Sequence, residues 1–225
     1  RELATELRAQ NAAREAEAAE RSATKDRWDK FANVSTFLSS VVIAAVVWNR
    51  FPEQRTPSNL VQWLIRLVMG VFWWQQSLWK LPPLYTDHPE AAFGETGLAY
   101  WMVLMGKHAA IPLQADFVNN IVLPHFYLFA PVVYSLEVLT GVSLMLGGFV
   151  RLFAVIGALQ ILNLWLGLYS APGEWPWTYF FLFLLQLMFA IHCYGRALGI
   201  DAILAAGQGR RANTGIMNRL LAAAT

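Results

Sequence analysis

The apolar residues of this chain occur in runs that are long enough to cross a lipid bilayer. A spanning helix needs roughly 20 mostly apolar residues, because the hydrocarbon core is about 30 Å thick and a helix rises about 1.5 Å per residue. The runs that meet this length are Val61–Leu81, Pro124–Leu146, Val150–Tyr169 and Pro176–Tyr194. The pattern therefore predicts four membrane-spanning helices.

A fifth apolar run, Phe31–Trp48, is shorter than the others. Trp28 and Arg50 flank it as residues that sit well at a membrane interface. It either spans the bilayer or lies partly at its surface, and we predict that it spans. The run carries four hydroxyl side chains, Ser35, Thr36, Ser39 and Ser40.

Residues 1–30 are polar on all sides and rich in Ala, Glu and Arg. Opposite charges four residues apart, such as Glu17–Arg21 and Lys25–Asp29, favour a helix. Such a helix is either a solvent-exposed extension or a docking arm for a partner subunit. Because a helix without an apolar face gains little from folding alone, we expect this arm to contact another subunit of a membrane complex.

These segments predict an all-α integral membrane protein. Its four-helix transmembrane bundle follows an extra apolar segment and a polar N-terminal helix. The predicted divisions are an arm (1–30), the apolar segment with its linker (31–58), the bundle (59–203) and a cytoplasmic tail (204–225). Residues 84–120 form the longest loop, in which Leu98–Met105 predicts a short helix lying on the membrane.

Composition agrees with a membrane protein: 56% of the residues are hydrophobic and 14% are charged, against about 25% charged in a typical soluble domain. The net charge of +2 gives no indication of nucleic-acid binding. The single cysteine, Cys193, excludes an intrachain disulfide. The expected partners are the lipid bilayer and other protein subunits.

The distribution of Lys and Arg predicts the orientation, since cytoplasmic loops of membrane proteins carry the excess of these residues. One side of the predicted bundle holds only Lys80 and Lys107. We therefore expect a multi-pass protein with a cytoplasmic C-terminus. The expected location is a bacterial inner membrane. The other side holds Arg50, Arg55, Arg66, Arg151, Arg196, Arg210, Arg211 and Arg219.

Glu137 is a carboxylate inside a predicted span, where it needs a partner within the bundle. It lies about 15 Å from the inner end of its run and Arg66 about 7–8 Å from the same side, at the helical rise. A long arginine side chain can bridge that difference, whereas Lys80 lies near the opposite face. The predicted pair is therefore Arg66–Glu137, acting as a structural clasp or as a proton or substrate relay.

Five amide side chains also fall within the predicted spans. Polar groups that face lipid are costly, so several of them should turn inward as a polar patch. This patch either makes hydrogen bonds between helices or binds a quinone head group or a small anion. The five residues are Gln75, Gln76, Gln160, Asn163 and Gln186.

The histidines give little indication of a metal or haem site. His125 and His192 fall at opposite faces of the bilayer, so they cannot hold one haem. No cysteine or histidine spacing resembles a zinc site. His88, His108 and His125 are expected as solvated loop residues, with an outer metal site as the alternative; we predict no bound metal.

Several glycines and charged residues recur near the ends of the predicted helices. They are Gly70, Lys80, Gly141, Gly147, Arg151, Gly195, Arg196 and Asp201, and they are called the family-motif positions. Their order resembles the DoxX-like membrane proteins. Within that family the chain is most similar to the DoxD type, the small subunit of thiosulfate:quinone oxidoreductase. The stretch Glu174–Tyr179 adds to this resemblance, which covers residues 60–203.

The resemblance implies a four-helix membrane bundle and suggests oxidation of a sulfur compound, thiosulfate, coupled to quinone. It implies no covalently bound cofactor and a quinone as the bound redox partner. An accessory or assembly subunit of a larger respiratory or photosynthetic complex is the alternative. The N-terminal arm, which has no counterpart in the family, favours that alternative, so whether the chain is an enzyme stays open.

Overall fold

The computed structural model describes residues 34–210 and residue 224, with side chains for 34–207 and 224. The chain divides into two units, Arg1–Leu38 and Ser39–Thr225. Of the first unit only residues 34–38 are described, and they are helical. The predicted arm (1–30) and most of the predicted tail (204–225) lie outside the described residues.

Every regular element in the described part of the chain is helical. Short connections include 3₁₀ turns at Pro52–Gln54 and Tyr194–Arg196, and a π-helical turn at Val118–Val122. The helices are α1 (Val34–Arg50), α2 (Pro57–Ser77), α3 (Gly97–His108), α4 (Pro112–Phe117), α5 (Phe126–Leu146), α6 (Val150–Gly167), α7 (Pro176–Ile191) and α8 (Ile200–Arg210).

Two of these helices, α5 and α6, are long and apolar enough to cross a membrane by length and composition. Helices α1 and α7 are apolar but shorter. Helix α2 has 21 residues and polar side chains near both of its ends. The fold is therefore all-helical over the described residues, with two candidate membrane spans.

Helices α2 and α5 cross at two glycines. A Cβ atom at Gly70 would lie 2.7 Å from the backbone nitrogen of Met145 and 2.9 Å from the carbonyl oxygen of Gly141. A Cβ atom at Gly141 would lie 3.1 Å from the backbone nitrogen of Trp74. Small residues at such a crossing let two helix backbones approach closely, which strengthens van der Waals contact.

The segment 84–120 is more ordered than the predicted loop. Helix α3 includes the expected short helix at Leu98–Met105 but extends beyond it at both ends. Met102 is buried with Val122 and Phe126, and Met105 is buried with Leu168. The helix therefore packs against the elements around α5 and α6 and forms part of the core, rather than simply lying on the membrane.

Within the second unit, α1 packs beside the start of α2 and the start of α8. Ala44 and Val47 are buried with Leu198, and Trp63 packs against them. The Ser40 hydroxyl donates a hydrogen bond to the carbonyl of Met145 at 2.6 Å and accepts one from the Trp63 indole at 3.2 Å. Residues 34–48 of the predicted fifth segment are thus helical and pack against α2 and α8. That this segment spans the bilayer stays a prediction.

The close crossing of α2 and α5 generates a stability prediction. Gly70→Ala should lower the free energy of unfolding by about 1–3 kcal/mol, because the new methyl group meets backbone atoms of α5 that cannot move aside. Thermal unfolding in detergent measures the change. Gly207→Ala is the matched control, since a Cβ atom there meets nothing within 4 Å. Equal stability of the two variants would contradict the packing described.

Candidate functional site

The carboxylate of Glu137 pairs with Lys80. The Lys80 ammonium donates to both Glu137 oxygens, at 2.5 and 2.6 Å, and both residues are nearly excluded from solvent, with 6% and 5% exposure. Lys80 follows the end of α2, in a turn that bonds its backbone N–H to the Ser77 carbonyl. Its ammonium also lies 4.4 Å from the ring centroid of Trp79. This is a buried ion pair between the end of α2 and the middle of α5.

The predicted Arg66–Glu137 pair is wrong. Arg66 is fully buried, but its guanidinium donates hydrogen bonds to backbone carbonyls near the end of α5, those of Leu144 and Met145, the latter at 3.2 Å. It also donates to the Ala197 carbonyl at 3.3 Å. Arg66 therefore satisfies carbonyls left open at a helix C-terminus, where a cation is favoured.

The register of the two antiparallel helices explains the error. Gly70 lies opposite Gly141 and Met145. Arg66 is one turn earlier on α2, so it lies opposite the last residues of α5. Glu137 is one turn earlier on α5, so it faces the far end of α2, where Lys80 is located. The depth estimate also assumed that the helix begins near residue 61, whereas α2 begins at residue 57.

Asp201 and Arg66 belong to a polar cluster at the end of the bundle. The fully buried Asp201 carboxylate accepts hydrogen bonds from the backbone N–H groups of Phe149 and Val150, at 2.8 and 3.2 Å, where α6 begins. Its own N–H donates to the Gly147 carbonyl at 2.8 Å. Gly147 has φ of +72°, and a Cβ atom there would lie 2.7 Å from the guanidinium carbon of Arg66.

Most of the family-motif positions have structural roles at this end. A Cβ atom at Gly195 would overlap the Asp201 carboxylate, so only glycine fits there. Arg151 donates to the Ala190 carbonyl at 3.0 Å, near the end of α7. Arg196 lies close enough to Asp201 for its charge to act on that carboxyl. Of the motif residues, only Lys80 lines the main cavity.

This main cavity lies among α2, α3, α5, α6 and α7 and has a volume of about 520 Å³. That volume lies within the range of roughly 300–1,000 Å³ that is usual for small-molecule sites. Aromatic rings form much of its wall, including Trp73, Trp79 and Trp101. The Lys80–Glu137 ion pair and the Glu174 carboxylate supply charge in this mostly apolar wall.

The structure brings together three of the five predicted amide residues and separates the other two. Gln75, Gln76 and Asn163 line the main cavity. Gln160 lines a second cavity of about 390 Å³, which Asn163 also borders. Gln186 is fully buried against α6, and its amide has no hydrogen-bond partner among the described atoms. The predicted single patch is therefore distributed over three places.

Sequence reasoning missed several residues of the main cavity. The Tyr179 hydroxyl donates to the Glu174 carboxylate at 2.6 Å, and both residues line the cavity. These two residues appeared only as part of the family resemblance. Trp101 and Met102 were missed because α3 was expected on the membrane surface, and no local pattern indicates that a loop helix will enter the core.

The described residues, 34–210 and 224, include no group of three or more His, Cys, Asp or Glu placed to hold a metal ion. The exposed His88 ring lies 3.1 Å from the Glu90 carboxylate. The His125 ring lies 2.9 Å from the carbonyl oxygen of Ile121. These histidines interact locally, each with a residue two or four positions away.

Comparison of the chain with protein-family models, curated proteins and solved structures gives no match. The class to which this protein is assigned therefore rests on the structure of the chain itself. Over the described residues it is an all-helical protein with two candidate membrane spans. A buried ion pair forms part of the wall of its main cavity.

The ion pair generates a prediction on stability. Glu137→Ala should lower the free energy of unfolding by about 3–5 kcal/mol, because it leaves the Lys80 ammonium buried without a counter-charge. The double change Lys80→Met with Glu137→Leu should recover most of the loss. Thermal unfolding in detergent measures both. The control is Glu90→Ala, which breaks an exposed pair with His88. A Glu137→Ala variant as stable as this control would contradict the prediction.

Asp201 generates a prediction on pH. Burial raises the pKa of its carboxyl from 3.8 to about 6, although the hydrogen bonds from Phe149 and Val150 and the charges of Arg66 and Arg196 lower it in part. The folded protein therefore holds this proton more tightly than the unfolded chain does. The resulting stabilisation is present below pH 3.8 and is lost as the pH rises through about 6.

The thermal midpoint of the wild-type protein should accordingly fall from about pH 4 to about pH 7 more steeply than that of Asp201→Asn, which cannot titrate. Thermal unfolding across this range measures the difference in slope. Asp87→Asn removes an exposed carboxyl and serves as the control. Parallel curves for the wild type and Asp201→Asn would exclude a contribution from Asp201.

Proposed function

We propose that this chain is a DoxD-like, multi-pass protein of the bacterial inner membrane. In this proposal α2, α5, α6 and α7 cross the bilayer, α1 adds a span, and the C-terminus is cytoplasmic. Large apolar side chains exposed along these helices support it, among them Leu64 on α2, Leu128 on α5, Leu159 on α6 and Phe181 on α7. Such surfaces are stable in contact with lipid chains.

We propose further that the chain is the membrane subunit of a thiosulfate:quinone oxidoreductase, and that its main cavity binds the quinone. The observation that carries this proposal is the Lys80–Glu137 pair in the wall of an apolar, aromatic-lined cavity. A quinone ring is flat and apolar, so it packs well against Trp73 and Trp101. Its carbonyl oxygens accept hydrogen bonds, which the amides of Gln75, Gln76 and Asn163 can donate.

The reaction balances in electrons and protons. Two thiosulfate ions joined by a new S–S bond release two electrons, and the quinone takes up these two electrons with two protons from water to become the quinol. Glu137 and Lys80 are the groups proposed to pass such protons, because a carboxyl and an amine are side chains that serve as general acids and bases and these two are in hydrogen-bond contact in the cavity wall. Thiosulfate carries two charges, which an apolar cavity disfavours. Its oxidation is therefore assigned to a partner subunit outside the membrane.

A non-catalytic accessory or assembly subunit of a larger respiratory or photosynthetic complex is the second candidate. A row of exposed aromatic rings at the start of α7 favours it. Trp175 and Trp177 are in edge contact, with ring centroids 5.8 Å apart, and Trp177 contacts Phe181 at the same distance. All three rings are more than half exposed, so they offer a surface to a neighbouring subunit.

The test uses the full chain, purified in mild detergent with whatever subunits accompany it. Binding of a short-chain quinone is followed by quenching of tryptophan fluorescence, and thiosulfate-dependent quinone reduction is followed by absorbance. Gln76→Leu should weaken binding roughly tenfold, since it removes an exposed amide of the cavity wall. Glu137→Gln should lower the reduction rate. Gln62→Leu, on α2 but lining neither cavity, is the control.

Failure of the wild-type protein to bind quinone would refute the proposal. Quinone binding that Gln76→Leu leaves unchanged would place the quinone outside this cavity. Absence of thiosulfate-dependent reduction, together with copurification of respiratory or photosynthetic subunits, would favour the accessory role.

A further inference from the structure

Asn163 in the wall of the main cavity is bonded to an amide from another helix. The Gln114 side-chain nitrogen, on α4, donates a hydrogen bond to the Asn163 side-chain oxygen, on α6, at 2.6 Å. Asn163 lines the main cavity, whereas Gln114 does not. Asn163 is also exposed, unlike the Gln160 amide one turn earlier on α6, which is sealed from contact. Because its oxygen is engaged, Asn163 has its amide nitrogen left for a bound molecule.

The connection from α3 to α4 fixes the place of Gln114. The Ala110 N–H donates to the Leu166 carbonyl at 2.7 Å, which attaches this connection to the end of α6. Helix α4 therefore begins beside α6. Asn163 lies one turn before Leu166, and the Gln114 side chain reaches it from α4.

The charges of the main cavity favour the same orientation of the Asn163 amide. Two carboxylates, Glu137 and Glu174, and one ammonium, that of Lys80, line this cavity. The amide of asparagine can turn over and exchange its oxygen and nitrogen, and the hydrogen bonds and the field around it select one arrangement. An excess of negative charge in the wall favours the nitrogen on the cavity side. The bond from Gln114 engages the oxygen on the other side.

We propose that Gln114 is a positioning residue, which orients Asn163 as a hydrogen-bond donor so that the main cavity selects the oxidised form of its ligand. A quinone presents carbonyl oxygens, which accept from this donor. Its quinol presents hydroxyl groups, whose own protons find no acceptor there. The cavity thereby holds the substrate and releases the product. The choice of quinone as the ligand rests on the proposed function.

The test compares the affinity for a short-chain quinone with that for its quinol, measured by calorimetry without oxygen on the full chain in detergent. Gln114→Glu is nearly isosteric and is ionised at about pH 8, so it only accepts hydrogen bonds and draws the Asn163 nitrogen toward itself. It should lower the ratio of quinone affinity to quinol affinity roughly tenfold. Gln114→Leu frees the amide to turn and should give an intermediate ratio. Both ligands are uncharged, so the added charge affects them alike.

Two further variants show whether Gln114 acts through Asn163. Gln62→Glu changes another hydrogen-bonded glutamine, which donates to the Ser58 hydroxyl at 3.1 Å and lines neither cavity. It should keep the wild-type ratio. Asn163→Ala removes the amide that contacts the ligand. In that background, adding Gln114→Glu should leave the ratio unchanged.

The outcomes separate this inference from the proposed function. A wild type that binds neither quinone nor quinol would overturn both. A wild type that binds quinone, with the same ratio in Gln114→Glu, would overturn the inference alone and show that the bond only attaches α4 to α6. An effect of Gln114→Glu that persists without the Asn163 amide would overturn it as well. If Gln114→Glu does not fold, Gln114→Leu, which adds no charge, decides the question by the same ratio.

Discussion

The burial of the Arg66 guanidinium is the constraint on which the rest of the described structure depends. A charged group without solvent is costly unless hydrogen bonds and an opposite charge compensate for it. Carbonyls at the end of α5 and before α8 supply the hydrogen bonds, and Asp201 supplies the opposite charge. Because Asp201 also accepts N–H groups at the start of α6, the single arginine links α2, α5, α6 and α8 at one end of the bundle.

This arrangement determines what the other end of the bundle contains. The crossing at Gly70 and Gly141 holds α2 and α5 in one register. Two turns of helix away from the Arg66 cluster, that register places Glu137 opposite the end of α2, where only Lys80 is available as a counter-charge. Helix α3 then covers the opening between the helices with apolar and aromatic side chains. The result is a charged pair in the wall of a mostly apolar cavity.

The two cavities are lined mainly by residues outside the family-motif positions. The glycines, Arg151 and Asp201 of the family motif support helix ends and close packing, and they lie away from both cavities. The amides that line the cavities come from other positions. In this chain the residues that hold the fold and those that could bind a ligand are therefore largely separate sets, joined at Lys80, which belongs to both.

The sequence by itself indicated where the apolar helices lie, because the length of an apolar run is a local property of the chain. The run Pro124–Leu146 became α5 (Phe126–Leu146), and Val150–Tyr169 became α6 (Val150–Gly167). It also indicated that Glu137 needs a partner, since a carboxylate within a long apolar run is costly to bury without one. Only the tertiary structure decided that this partner is Lys80 rather than Arg66, that α3 enters the core, and that Gln160 and Gln186 lie outside the main cavity. Each of these outcomes depends on the register and depth at which the helices pack. Contacts between residues distant in the sequence set that register, and no local sequence pattern encodes it.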